Sequence, residues 1–274
     1  MSGARSQKAV ALSIILALAQ GAWAQSLLLQ TPPERVNLVG VRFLHPDLAH
    51  GPDASLTSGV YEFSVAFAVS SRSAVGITLP LVNSDPSDLE STRALGNLSL
   101  QFQKRTAGVG RRQSSFSIGI TIPTADEENF WTLIYGWVTD YPWLHKYAAE
   151  VMTLSCGVQG QWPAFRTGSV RLDVGPHVMV PTGEGGDTEI TLRYGLGLAA
   201  GSPVIQVLAE FVGYVWLTTE SGPFEDRSTH CAAIGVVLPA GAIRPSLFYE
   251  KYLNGDLSED VDGILGIKLQ VATR

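Results

Sequence analysis

Cysteine and charge are both scarce in this chain. It has 2 cysteines in 274 residues, and only 16% of its residues are charged. Two cysteines suffice for a disulfide in an oxidising compartment, but the alternation around each cysteine argues against one. Cys156 shares a face with Met152, Leu154 and Val158, which reads as outward. Cys231 alternates against Ala232, Ile234 and Val236, so it reads as inward. Thiols on opposite faces cannot meet. Basic residues are few too. Without Arg5 and Lys8, 17 remain against 25 acidic ones, which excludes the electrostatic footprint of a nucleic-acid binder. No apolar run after the N-terminus is long enough for a membrane-spanning helix. The motifs G-x-S-x-G, H-E-x-x-H and F-x-H-x-S are all missing.

The N-terminus looks like an export signal. Arg5 and Lys8 precede an apolar core from Ala9 to Ala19, and Ala22-Trp23-Ala24 forms an A-x-A cleavage site. The expected division is a signal peptide at 1–24, a periplasmic segment at 25–35 and a β-barrel domain at 36–274.

From residue 59 onward the chain changes face at every second residue. Tyr61, Phe63, Val65, Phe67 and Val69 alternate with Glu62, Ser64, Ala66 and Ala68. Phe116, Ile118, Ile120 and Ile122 alternate with Ser115, Ser117, Gly119 and Thr121. This two-residue period marks strands with one apolar and one polar face. Strands are expected near 59–70, 73–82, 95–104, 114–123, 148–162, 168–181, 187–199, 203–217, 228–238, 242–252 and 261–272. Every second connection is compact, and most of the others are longer. The compact set carries Arg72, Arg105, Arg111, Arg112 and Arg166, whereas the other set is rich in Asp and Glu. Bacterial outer-membrane barrels have short periplasmic turns and long outer loops, on an even number of strands. An N-terminus in the periplasm then calls for one earlier crossing at about Val36 to Leu44. The expected fold is all-β: an antiparallel up-and-down transmembrane barrel of about 12 strands, with ten strands as the alternative.

A short loop helix is expected near 125–140. Thr124 and Glu127 have capping-box spacing. Phe130, Leu133, Ile134, Trp137, Val138 and Tyr141 follow at helical spacing, as a face packing on the barrel rim.

Two strands end alike, at Ile122-Pro123-Thr124-Ala125 and Val180-Pro181-Thr182-Gly183, and another begins at Leu95-Gly96-Asn97-Leu98. With these motifs, residues 55–272 resemble the outer-membrane barrel family of the putative meta-pathway phenol-degradation transporter type. The resemblance implies a roughly twelve-stranded barrel and uptake of small, hydrophobic molecules. The chain departs from such barrels at its end, Gln270-Val271-Ala272-Thr273-Arg274, which lacks a terminal aromatic residue.

Taking the polar face as inward puts Glu62, Arg171, Asp173, His177, Glu189, Arg193, Glu210, Arg244, Glu250 and Lys268 in the lumen, as candidates for solute contact. Mixed signs in a narrow interior pair with one another, because unpaired buried charges are costly. Balanced signs also argue against strong ion selectivity. Asp256, Glu259, Asp260 and Asp262, like His45, Asp47, His50 and Asp53, read as solvated loops, so no metal and no cofactor is expected. Asp226, Ser228 and His230 read as a polar strand start, not a catalytic set. The expected function is passive passage of a small solute, hydrophobic or aromatic, across the bacterial outer membrane, without enzymatic activity. The expected partners are outer-membrane lipid and that solute, with no nucleic acid and an unspecified oligomeric state. The alternatives are a closed structural, adhesion or lipid-contacting barrel and a soluble secreted β protein.

Overall fold

The computed structural model describes residues 26–30, 36–49, 55–84, 92–107, 112–165, 167–183, 186–202, 204–218, 224–238 and 241–273. The expected leader lies outside them. The alternating segments form strands β1 (Asn37–Leu48), β2 (Gly59–Ser70), β3 (Ser73–Ser84), β4 (Thr92–Leu95), β5 (Leu98–Ala107), β6 (Gln113–Ile122) and β7 (Val151–Phe165). They continue as β8 (Gly168–Pro181), β9 (Glu189–Gly201), β10 (Gln206–Trp216), β11 (Ser228–Val237), β12 (Ile243–Tyr252) and β13 (Val261–Thr273). All pairings are antiparallel and follow chain order. β1 pairs with both β2 and β13, so the sheet closes on itself. β4 and β5 both pair with β3 and are one strand interrupted at Gly96-Asn97. The result is a closed cylinder of twelve strands. β1 is therefore the earlier crossing that parity requires. Closure pairs the backbone around the whole ring, as a bilayer demands.

The wall is apolar outside and polar inside. Phe63, Ile118, Val158, Leu196, Ile234 and Leu247 are exposed on its outer face, whereas Ser115, Gln159, Arg171, Arg193 and Glu210 are buried on its inner face. A soluble sandwich would bury the first set and expose the second. Among the described residues there is one sheet, and no second sheet covers the greasy face. The two cysteines are free, Cys156 exposed and Cys231 buried.

Among the described residues no helix is long and apolar enough to cross a membrane. Helix α1 (Phe130–Thr139) lies in the β6–β7 connection, and a one-turn helix α2 (Leu257–Asp260) precedes β13. Two details of the helix differ from expectation. Asp126 caps the opening turn by accepting from the Glu128 N–H at 3.0 Å, in place of Thr124. The buried face is Thr132, Leu133, Gly136 and Thr139, while Phe130 and Trp137 are exposed. Leu133 keeps its expected place, and small residues join it because α1 packs closely on the wall. A Cβ at Gly136 would run into the side chains of Val82 and Tyr147.

Candidate functional site: the lumen and its two inserts

The inner wall divides into two arcs. From β8 through β13 and on to β1 it is ionic. His177 and Asp173 share β8 with Arg171, Glu189 and Arg193 lie on β9, and Glu210 on β10. Arg244 and Glu250 follow on β12, Lys268 on β13 and Arg42 on β1. The chain's own N-terminal segment packs against this arc. Within the expected periplasmic segment, Ser26–Gln30 lies inside the cylinder. Glu210 holds it. Its Oε2 accepts the backbone N–H groups of Leu27, Leu28 and Leu29 at 3.1, 2.7 and 3.1 Å, and its Oε1 accepts from the Ser26 hydroxyl at 2.5 Å. Arg193 donates to the Leu28 carbonyl at 2.7 Å and pairs with Asp173 at 3.0 Å. Asp173 accepts from the Gln30 N–H at 3.0 Å, and Lys268 donates to the Ser26 carbonyl at 3.2 Å. Charged groups that would be costly alone are thus satisfied by backbone dipoles. Leu27, Leu28 and Leu29 complete the packing against Leu208, Val212, Ala233 and Phe248.

From β2 through β7 the inner face is mostly Ser, Thr, Gln, Gly and Ala. Glu62 and Arg105, near opposite rims, are its charged exceptions. Here a cavity of about 200 Å³ remains open. Ser64, Thr78, Ser99, Gln101 and Ser155 line its wall side and Leu27–Gln30 its other side, and Arg42, Glu62 and Lys268 also border it. Gln30 reaches across to this arc, accepting from Ser117 at 3.0 Å and Gln159 at 2.5 Å.

The β6–β7 connection closes the long-loop end of the cavity with Trp143, His145 and Lys146. Its anchors are the three motifs noted in the sequence. Asn97 accepts the N–H groups of Thr124 and Ala125 at 3.0 and 2.9 Å, and donates to the carbonyls of His145 and Ala148 at 3.0 and 2.6 Å. Thr124 donates to the Gly96 carbonyl and accepts from the Leu98 N–H. Gly96 must lack a side chain, because a Cβ would collide with the Lys146 carbonyl. At the far end, Thr182 donates twice to the Glu150 carbonyl, where Glu150 has a φ of 53°. Inside the lumen, Asp140 pairs with Arg42, and Lys146 with Glu62, which also pairs with Arg42 at 3.1 Å. Arg193 lies 4.2 Å from the Trp143 ring centre. Burial, then the neighbouring His177, Lys146 and Arg193, hold the His145 imidazole well below its usual value.

No protein-family model and no curated protein matches this sequence. Solved structures do. A COG4313 outer membrane channel from Pseudomonas putida F1 superposes with a TM-score of 0.64 at 13% identity, over 91% of this chain and 98% of that one. The NanC porin gives 0.55 at 7% identity and the KdgM porin 0.53 at 6%, each over 86% of this chain and 99% of the other. The fold is that of outer-membrane β-barrel channels.

Within that fold the ten sequence-selected lumen residues fall into groups. Asp173, Arg193, Glu210 and Lys268 meet the N-terminal segment. Glu62 joins the ion cluster of the β6–β7 connection, and His177 stacks edge-on against His145 with centroids 4.8 Å apart. Glu189 bonds the Thr218 hydroxyl near the rim. Arg171, Arg244 and Glu250 are buried in the wall away from the open cavity. Arg42 and Asp140 were missed. Arg42 stands on the inward parity of β1, so the alternation that selected the others would have found it. His230 faces outward, with Nε2 2.7 Å from the Tyr194 hydroxyl and Nδ1 3.0 Å from Asn254. Both ring nitrogens are engaged away from Ser228. Among the described residues no group of three His, Cys, Asp or Glu side chains is placed to hold a metal.

Proposed function

We propose that this chain is a bacterial outer-membrane barrel that lets a small solute cross passively, without enzymatic activity. The observation that carries the reading is the cavity left between the N-terminal segment and the uncharged arc. Hydroxyl and amide groups line one side of it, Leu27, Leu28, Leu29 and Trp143 the other, and Arg42, Glu62, Lys146 and Lys268 also border it. A solute with one apolar face and one hydrogen-bonding edge suits that lining. A small hydroxylated aromatic, the class implied by the phenol-transporter resemblance, meets both requirements. Purified barrel in liposomes should pass ions, and a hydroxybenzoate faster than a disaccharide.

A second reading is a barrel that stays shut. It is favoured by the two inserts that fill the lumen from the N-terminal segment and the β6–β7 connection. Liposomes no more permeable than protein-free ones would select it over transport.

A further inference from the structure

The outer wall carries a built feature of its own. Between β9 and β12 there is an apolar groove of about 380 Å³, within the size range of small-molecule sites. Ala209 and Ala232 form its shallow floor, and Leu196, Leu198, Ile234 and Tyr249 its sides. The long-loop end is closed by an ordered polar-aromatic cluster. Phe211 stacks on His230 with centroids 5.5 Å apart at 21°. Tyr194 lies flat across Gly213, where a Cβ would strike its ring, and so reaches His230 from two strands away. Asn254 fixes the other side of His230, accepting its backbone N–H at 2.7 Å. Lys251 stands opposite Ala232 in register, is exposed on the outer face, and makes no ion pair among the described residues.

We propose that this groove seats one acyl chain of an anionic lipid, with the headgroup held by Lys251 beside His230. The groove is continuous with the apolar belt of the barrel, which already faces hydrocarbon through Leu247 and Leu265. Its lining offers an occupant almost no hydrogen bond until the end where Lys251 and the His230 cluster stand. An apolar trough with a cation at the rim end of the strands matches an amphiphile whose head is negative, at the depth where headgroups lie. The site requires an outer wall that faces lipid but no permeation, so it stands even if the lumen proves shut.

The test uses the whole barrel in detergent, mixed with equimolar phosphatidylglycerol and phosphatidylcholine, with bound lipids counted by native mass spectrometry. The wild type should retain one phosphatidylglycerol about fivefold over phosphatidylcholine, the size expected of one lysine at an anionic surface. Ala232→Trp fills the groove and should abolish retention, while Val174→Trp on β8 should not. Lys251→Gln should keep a lipid but lose the preference between the two. Unchanged retention in Ala232→Trp, equal loss in Val174→Trp, or an intact preference in Lys251→Gln would each overturn the site. Unboiled gel mobility checks folding, and should Ala232→Trp fail it, Lys251→Gln still decides.

Discussion

From β2 through β7 the lumen is faced with Ser, Thr, Gln and Gly. From β8 through β13 and β1 it is faced with Arg, Lys, Asp, Glu and His. The two arcs belong to one wall and share its pleat, yet only the second is filled. Buried charges are costly unless satisfied, and four on the ionic arc, Glu210, Asp173, Arg193 and Lys268, are satisfied by holding Ser26–Gln30. Neutral hydroxyls and amides carry a smaller penalty and can remain solvated, so the space stays open beside them. The difference in side-chain charge therefore sets where the N-terminal segment lies and where a solute has room.

The largest change should come from removing that grip. Glu210→Ala takes away one acceptor of four hydrogen bonds, each worth about 1.5–3 kcal/mol when the acceptor is charged. The segment should leave the ionic arc, and single-channel conductance should rise severalfold. Glu128→Ala, on the exposed turn before α1, should leave conductance as it was. Equal conductance in both variants would break the comparison.

Asn97→Ala comes next. It removes four side-chain hydrogen bonds that clamp the β6–β7 connection, at about 1 kcal/mol each. Limited proteolysis should then cut between Thr124 and Glu150 in a barrel that still runs folded on unboiled gels. A smaller effect is expected from Gln101→Glu, which places a charge beside the open cavity. One unit charge at 4 Å is worth about 1 kcal/mol in water, so cation preference should rise about fivefold. Reversal potentials in a salt gradient measure it.

The smallest effect is one of pH. His145 is buried, and its folded pKa lies below its usual 6.5. Its neutral form is favoured in the folded state, so its contribution is whole above 6.5 and shrinks as pH falls toward the folded value. Closure by Trp143, His145 and Lys146 should weaken in acid, with conductance rising between pH 6.5 and 5. His145→Asn should flatten that rise.

The strands were legible because alternation with period two survives even in short segments, as in Phe116 to Ile122. Chain parity then required β1. The facing of Cys156 and Cys231 followed from the same period. Other features were hidden for physical reasons. Ser26-Leu27-Leu28-Leu29-Gln30 has no alternation, and its anchor Glu210 is 183 residues from Leu27. The helical spacing placed Leu133, Val138 and Tyr141 correctly on the packing face, but Phe130 and Trp137 are exposed, and close approach to Val82 and Tyr147 selects Gly136 there. The Gly96-Asn97 and Pro-Thr motifs were visible as patterns. Their shared task of fastening one loop at both ends appears only when distant strands are brought together.

Thiol labelling tests the asymmetry of the lumen most directly. In a Cys156→Ser background, the native Cys231 lies on the filled arc and Gln101→Cys on the open one. A charged, membrane-impermeant thiol reagent should modify Gln101→Cys rapidly and leave Cys231 untouched in the folded barrel. Labelling of Cys231 as fast as that of Gln101→Cys would contradict the account.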